Sequence, residues 1–359
     1  MSTDTELDSE FSVAEARAIV KDLFEPKLSV YWTDFLLSVA IGDLGLFLLM
    51  ADWPRWVQVI GYVIAVLALY RAVLFIHELV HLKSKAFVPF RIAWNVICGI
   101  PCLIPSYMYY THAEHHARKH YGTKEDGEYL PLAARPVWFL VWYMVQSVFV
   151  PVLLVARFLI MAPLSWLIPP FRRLLHKHLS SMVMDFEYVR PFPTNNELRI
   201  WRLQEVSCFL ILVAASILLW AGVFSWEMLG KLYLVNLGVV VINQVRTLGA
   251  HRFQHTGREL TFLEQLLDSL NYPNRPWLTG LWAPVGLRYH ALHHLFPAMP
   301  YHSLDEAHWR LMAQLPPDSP YRQTNRSSLL RSLKELIVSS WNSQRKPRAT
   351  NQEVERSLV

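Results

Sequence analysis

Cysteine is scarce in this sequence: only three cysteines, Cys98, Cys102 and Cys208, occur among 359 residues. Three cysteines cannot build a disulfide framework, and their spacing fits neither a zinc-binding motif nor an iron–sulfur cluster. All three lie in apolar stretches, where a free cysteine packs as a small hydrophobic side chain. The cysteines therefore carry no predicted function.

Charge is the second scarce property. Charged residues make up 18% of the chain, against about 25% in an average soluble domain. Apolar residues reach 53%, and 14 residues are tryptophan. This composition is typical of a membrane protein. The net charge of +5 is mild, and it favours a membrane surface or an acidic partner over nucleic acid.

Long apolar runs divide the chain. Residues 30–50 and 56–76 are separated by a short polar break, and residues 207–248 form a run long enough for two helices. A run of about 20 residues crosses a hydrocarbon core of roughly 30 Å. Residues 90–110 and 137–168 are interrupted by prolines and polar residues, so they are expected to lie in the interface or to cross an even number of times. The sequence predicts an all-α integral membrane protein with about four transmembrane helices in two hairpins.

Basic residues cluster after the second run, around the interrupted runs and after the last run. Because positively charged segments stay in the cytoplasm, both hairpins are expected to open toward that side, under a cytoplasmic histidine-rich helical cap. The predicted organisation is a polar N-terminal tail (1–27), a membrane-embedded domain (28–310) and a basic C-terminal amphipathic segment with a tail (311–359).

Histidine is abundant, and its distribution is the strongest signal in the sequence. Ten of the 15 histidines fall into four tight groups: His77 and His81; His112, His115 and His116; His251 and His255; and His290, His293 and His294. Spacings of three and four residues put imidazoles on one face of a helix. The predicted topology also puts all four groups on one side of the membrane. The pattern predicts that they surround metal ions.

The first group, HELVH (residues 77–81), also fits the H-E-x-x-H motif of zinc proteases. A protease needs one metal with three protein ligands, which would leave most of the other histidines without a role. A metal transporter is a second alternative, but transport needs a polar path with intramembrane acids. Asp34, Asp43 and Glu227 are the acids of the main apolar runs, and none lies near the histidines in sequence. Both alternatives are therefore disfavoured.

Ligation by imidazole alone suits iron, copper, zinc or nickel, and the clustered histidines are enough for two metals with about four or five ligands each. A pair of redox metals beside apolar helices indicates activation of oxygen against an inert C–H bond. Neutral ligands would leave such a pair cationic and strongly oxidising.

HELVH, THAEHH and YHALHH resemble the three histidine boxes of the membrane fatty acid desaturase and hydroxylase superfamily, and the similarity in order, spacing and hairpin placement covers residues 30–300. The resemblance implies a fatty acid desaturase-like oxidoreductase with two iron ions, O2 as co-substrate, two electrons from a carrier and an acyl chain between the spans. It also implies which residues bind iron: His77, His81, His112, His115, His116, His290, His293 and His294.

The sequence departs from the stearoyl-type members of this superfamily at one place. Those enzymes have an N-x-x-x-H element after the last span, and the comparable segment here reads TLGAHRFQH. Either His255 is the added ligand and His251 replaces the asparagine, or His251 is the ligand and Thr247 replaces it. Both histidines are therefore predicted metal ligands.

Several further residues are predicted to support the site. Glu78, Asp126, Glu128 and His120 are candidates for orienting the imidazole ligands. Arg246, late in the last apolar run, is a candidate for pairing with a substrate carboxylate or headgroup, with an interfacial side chain as the alternative.

The chain has no H-P-G-G haem signature and no four-cysteine ferredoxin pattern, so a separate electron donor such as ferredoxin or cytochrome b5 is expected. Basic residues near the boxes are candidates for docking an acidic ferredoxin, with ordinary positive-inside charge as the alternative: Lys83, Lys85, Arg118, Lys119, Arg252, Arg258 and Arg288. The other predicted partners are membrane lipid and a fatty acyl substrate, carried as a lipid, a CoA or carrier-protein thioester, or a free acid.

Desaturation is the expected reaction of the acyl chain. Removal of two hydrogens gives a double bond, whereas return of oxygen to the carbon gives an alcohol. Hydroxylation, and oxidative decarboxylation of a fatty acid to a terminal alkene, are the alternatives, because the same ligand set serves all three outcomes.

Overall fold

The computed structural model describes residues 11–255 and 257–345. These residues form α-helices joined by short 3-10 and π turns, and they contain isolated β-bridges but no β-strand. The α-helices are α1 (Val13–Ile19), α2 (Leu28–Met50), α3 (Arg55–His81), α4 (Val88–Trp94), α5 (His112–His115), α6 (Val137–Val145), α7 (Val150–Ala156), α8 (Ala162–Leu167), α9 (Pro169–His178), α10 (Asn195–Trp220), α11 (Trp226–Leu248), α12 (Phe262–Asp268), α13 (Pro276–Trp282), α14 (His290–Leu295), α15 (Leu304–Gln314) and α16 (Leu329–Arg345). The predicted all-α class is confirmed.

Helices α2 and α3 form the first long hairpin. Their 23 and 27 residues exceed the roughly 20 residues needed to cross a bilayer. Pro54, the N-cap of α3, cannot continue the preceding helix and suits the start of the next. The two backbones approach closely where α2 has a glycine, because a Cβ built on Gly45 would lie 2.4 Å from the backbone nitrogen of Ala65. This contact fixes how α3 presents its last turn, which carries HELVH.

Helices α10 and α11 are the second pair of long apolar helices, with 26 and 23 residues. A capping box starts α10, in which Thr194 and Glu197 bond each other's backbone N–H groups. Ser225 caps α11 by accepting a hydrogen bond from the Met228 N–H. The turn between the helices includes Gly222, whose φ of 75° is a left-handed conformation that favours glycine. The 207–248 run therefore holds two helices, as predicted.

The region between the two pairs of long helices is helical but broken. A 3-10 turn separates α6 from α7, a π turn separates α7 from α8, and Ile168 alone separates α8 from α9. Pro151 and Pro163 lie in the first turns of α7 and α8. Residues Val150–Leu167 are nevertheless long and apolar enough to qualify as a candidate span, together with α2, α3, α10 and α11. Five helices of the described chain meet this criterion, so the predicted count of four is not confirmed.

The long helices carry large apolar side chains on their outer faces. Phe47 of α2, Val59 of α3, Leu153 of α7 and Ile217 of α10 each have more than half of their surface exposed. An apolar belt of this extent marks a surface that contacts lipid in a membrane protein. The buried side of the same helices forms the core that supports the histidines.

Both ends of the described chain pack against the cap. Ala16 and Val20 are fully buried in one cluster with Ala307 and Leu311 of α15, and Asp22 forms a 2.8 Å ion pair with Arg310. The second half of the predicted polar tail is therefore folded. The predicted boundary at residue 310 falls inside α15, and the predicted amphipathic segment corresponds to α16.

Replacement of Gly45 by alanine is expected to push α2 and α3 apart, because the added methyl would clash with backbone atoms of α3, and backbone atoms cannot move away by a change of rotamer. Overpacking of this kind costs about 1–3 kcal/mol. The thermal unfolding midpoint of the detergent-solubilised protein should fall. Gly230→Ala is the matched control, since nothing lies within 4 Å of its built Cβ; equal midpoints for the two variants would contradict the close-packing assignment.

Candidate metal centre

The ends of helices supply most of the clustered histidines. His77 and His81 lie in the last turn of α3, and His112 and His115 lie on the short α5, with His116 as its C-cap. Helix α14 carries the remaining box, His290, His293 and His294. His251 follows α11 in an extended segment that pairs with Ser269 in an isolated bridge.

These residues converge in two groups. The first group is His77, His81, His112, His116 and His293; the second group is His115, His251, His290 and His294. Within each group, one nitrogen from every ring lies within 4.8 Å of the others. Consecutive residues His115 and His116 belong to different groups, and the rings of His116 and His294 are 4.3 Å apart between centroids. The two groups are therefore adjacent.

The inner nitrogens face one another at short range. In the first group, Nε2 of His116 is 2.9 Å from Nε2 of His112 and 3.1 Å from Nε2 of His293. In the second, Nε2 of His290 is 2.8 Å from Nε2 of His251 and 3.2 Å from Nε2 of His294. Such convergence of ring nitrogens is what a shared metal ion requires.

Acidic side chains hold several outer ring nitrogens. Nδ1 of His112 is 2.9 Å from Glu128 Oε2, and Nδ1 of His115 is 2.8 Å from Asp126 Oδ2. A carboxylate that accepts from Nδ1–H selects the tautomer whose Nε2 lone pair is free, and it raises the basicity of that nitrogen. The structure thus places the predicted orienting residues Asp126 and Glu128 against imidazoles.

Asp268 and Tyr121 lie beside the outer nitrogen of His251, Nδ1, as the two acids lie beside His112 and His115. The Tyr121 hydroxyl donates to Asp268 Oδ2 at 2.8 Å and lies 2.8 Å from Nδ1 of His251. Both residues are buried. Sequence reasoning missed this pair, because a single acid on α12 and a tyrosine outside the boxes have no distinguishing spacing.

Burial sets the protonation of the site. Removal from water, together with the neighbouring imidazoles, lowers the pKa of His112, His116, His290, His293 and His294 well below the ordinary value. These rings are therefore neutral near pH 7 and can offer lone pairs. For His115, burial lowers the pKa, but the Asp126 carboxylate outweighs it and the net shift is upward. Burial raises the pKa of Glu128 to about 8, so a cation nearby would favour its ionised form.

Unpartnered buried nitrogens show that the groups fit a metal. Neither ring nitrogen of His77 has a hydrogen-bond partner among the described residues, and Nε2 of His81 also lacks one. A buried polar atom without a partner is costly, and a coordinated ion would remove that cost. Nitrogen-only ligation in a buried site suits a transition metal rather than Ca²⁺ or Mg²⁺.

Three predicted residues lie outside these contacts. The Glu78 carboxylate accepts from the Tyr31 hydroxyl at 2.6 Å and the Tyr301 N–H at 3.2 Å, and it is 3.7 Å from His77 Nδ1. His120 bonds Glu114 instead of a boxed histidine. His255 is in neither group; its Nε2 is 3.9 Å from Asp268 Oδ1. The structure thus brings His251, and not His255, among the other imidazoles.

The apolar spans and the paired imidazole groups define a class: membrane proteins with a histidine-lined site able to hold two metal ions. The chain belongs to the fatty acid desaturase family, whose model matches residues 51–325. It is 37% identical over 326 residues to the ceramide hydroxylase of Caulobacter vibrioides (strain NA1000 / CB15N), a match that covers 90% of this chain and 92% of the relative. No solved structure matches the chain significantly.

Family membership confirms the predicted superfamily and supports an oxidoreductase that acts on lipid acyl chains. It favours this reading over the zinc-protease and transporter alternatives. The hydrogen bonds of Glu78 to Tyr31 and Tyr301 agree, because they hold the carboxylate that a protease would use as its base.

His251→Ala is expected to lower the bound metal per chain, because it removes one of four imidazoles from the second group. His255→Ala is the matched control from the same segment and should leave metal content unchanged. Inductively coupled plasma mass spectrometry of the purified proteins measures both. Loss of metal in His255→Ala alone would reverse the assignment.

Proposed function

We propose that this protein hydroxylates the acyl chain of a ceramide-type lipid, using O2 and a pair of iron ions. Two observations support the proposal: the two adjacent all-imidazole groups, and 37% identity to a ceramide hydroxylase across nine-tenths of the chain. The relative's activity favours hydroxylation, the alternative in the sequence analysis, over the desaturation expected first.

The proposed ligands of one iron are His77, His81, His112, His116 and His293, and those of the other are His115, His251, His290 and His294. When bound, the iron pair supplies the redox chemistry for O2 and the C–H bond. Overall, one oxygen atom enters the C–H bond and the other leaves as water, which consumes two electrons and two protons.

The protein's own contribution is to fix these imidazoles in place and to keep buried rings such as His112 and His290 neutral. Glu128 and Asp126 orient His112 and His115, and the Tyr121–Asp268 pair orients His251. Supporting contacts of this type change metal affinity or activity by about 10- to 100-fold when removed. The burial of the site also excludes bulk water from the reacting carbon.

The membrane topology follows from the convergence of the histidines. His116 and His251 belong to adjacent groups, so the chain between them must cross the bilayer an even number of times. Helices α10 and α11 account for two crossings, and a single additional crossing by Val150–Leu167 would separate the groups. We therefore propose that α2, α3, α10 and α11 span the membrane and that the Val150–Leu167 segment enters and leaves on one side. The flanking basic residues favour the cytoplasm as the side of the histidines.

Product analysis tests the reaction. Lipids from cells that express the chain with a ferredoxin or cytochrome b5 reducing system are compared by mass spectrometry with those from His293→Ala, which lacks one proposed ligand. The expected result is hydroxylated ceramide in the first sample and none in the second. New double bonds, or terminal alkenes in the headspace, without a hydroxylated lipid would replace the proposed reaction. Hydroxylated ceramide in both samples would contradict the ligand assignment.

Electron delivery by a separate acidic protein is also proposed. Lys83, Lys85, Arg118 and Lys119 are exposed beside the first two boxes and form no ion pair with the described residues. Arg258 and Arg288 are instead paired with Glu264 and Asp305, and Arg252 is half-buried and donates to the Gln323 carbonyl. The proposed docking face therefore reduces to the first four residues.

Lys83→Glu and Lys119→Glu are each expected to raise the KM for the donor about two- to five-fold at low salt, in line with the free energy of a surface ion pair. Turnover at saturating donor should persist. Lys334→Glu, an equally exposed change on α16, serves as the control. Steady-state assays with purified ferredoxin measure these values, and equal KM values for all three variants would exclude this docking face.

A further inference from the structure

Arg246 is a buried cation beside the histidine groups. It lies in the last turn of α11 and only 7% of its surface is exposed. A buried arginine is costly unless acceptors surround its guanidinium. The partners of this side chain therefore show whether it is structural.

The other two buried arginines have stronger partners within the protein. Arg157 forms a 2.9 Å ion pair with Glu205 and donates to the Leu179 carbonyl, although its Nη1 is buried without a partner. Arg190 donates to the carbonyls of Ser180 and Tyr107, and its guanidinium stacks on Trp201. A carboxylate or a pair of carbonyls therefore compensates the charge of each.

Arg246 is not accounted for in this way. Its Nη2 donates to the Asn243 amide oxygen at 3.2 Å, and its Nε is buried without a hydrogen-bond partner. Among the described residues, no carboxylate forms an ion pair with it. A donor is thus left over in the interior, where an unmet hydrogen bond is expensive.

Arg246 lies at the end of α11 that leads into the metal centre. It precedes His251 of the second group by five residues. Helix α11 also packs against α3, whose last turn carries His77 and His81 of the first group. The buried guanidinium is therefore placed where two helices that lead to the histidine groups meet.

We infer that Arg246 binds the acyl carbonyl oxygen of the substrate amide and so directs oxidation to a carbon within a few bonds of that carbonyl. The inference rests on the proposed function for the identity of the lipid. The buried, unmatched Nε–H of Arg246 can donate to a carbonyl oxygen, and the amide that carries the acyl chain of a ceramide-type lipid supplies one. An apolar mid-chain methylene would leave the Arg246 donor unpaired in every bound state.

Binding of matched lipids tests the inference without turnover. The probes are N-palmitoyl sphinganine, its neutral analogue in which an (E)-alkene replaces the amide and so removes the carbonyl, and palmitic acid. Affinities are measured from the ligand-induced rise in the unfolding temperature of the metal-loaded, detergent-solubilised protein. The wild-type protein should bind the amide about 10- to 100-fold more tightly than the analogue, the range for a hydrogen bond to a charged group.

Arg246→Gln should bring that preference close to one while metal content stays unchanged, and Arg202→Gln, an exposed arginine on α10, should keep it. If Arg246→Gln loses its metal, the same binding preference is measured with Arg246→Lys. This variant retains the positive charge but moves the hydrogen-bond donor. A preference that survives the substitution, or is absent from the wild type, overturns the inference. An Arg246-dependent preference for palmitic acid alone would assign the site to a carboxylate and also overturn it.

The position of the new hydroxyl group provides a second readout. Fragmentation mass spectrometry of the product should place it near the amide, and a mid-chain hydroxyl would contradict the inference while the hydroxylase function stands. Failure of the wild type to hydroxylate any lipid would instead overturn the proposed function, and the binding comparison would still judge Arg246.

Discussion

The crowding of nine imidazoles is the constraint on which the rest of this structure depends. Their inner nitrogens lie about as close as hydrogen-bonded atoms. The rings cannot satisfy one another, because a neutral ring has one N–H and the Nδ1 atoms of His112 and His115 already face carboxylates. Protonation would place like charges side by side in a buried volume. A coordinated cation resolves both problems, so the stability of the cap is expected to be linked to metal binding.

This constraint explains why the long helices end where they do. Helix α3 stops at His81, and α11 stops three residues before His251, so the polar rings begin where the apolar spans finish. The rings converge only if the long helices are placed accurately. The close contact between Gly45 of α2 and the Ala65 backbone of α3 contributes to that placement. Helix packing within the membrane therefore affects where the histidine nitrogens meet.

Sequence spacing was sufficient for the all-α class, the long apolar helices and the presence of histidine clusters. It could not assign each histidine to its group, because His115 and His116 are adjacent in sequence and divide between the two groups. It left His251 and His255 equivalent, since both follow α11 and only the bridge to Ser269 distinguishes them. Two acids also show what sequence spacing could not predict. Asp268 is far from the boxes in sequence, yet it accepts a hydrogen bond from Tyr121 beside His251. Glu78 lies inside a box, yet it accepts a hydrogen bond from Tyr31. Long-range packing decided these cases, and a periodic pattern contains no information about it.

The choice between desaturation and hydroxylation also lies outside the ligand set. The nine clustered histidines can serve either outcome, so the difference must come from which C–H bond is held near them and for how long. Each free C–C bond between an anchor and the reacting carbon multiplies the accessible rotamers by about three, which blurs the position of a distant carbon. An anchor beside the metals, such as the unpaired donor of Arg246, leaves few such bonds and fixes one carbon well. Mid-chain oxidation needs a shaped apolar channel instead. A buried cation is a poor wall for such a channel and a good partner for a carbonyl, which is the physical reason for proposing that Arg246 binds the polar end of the lipid.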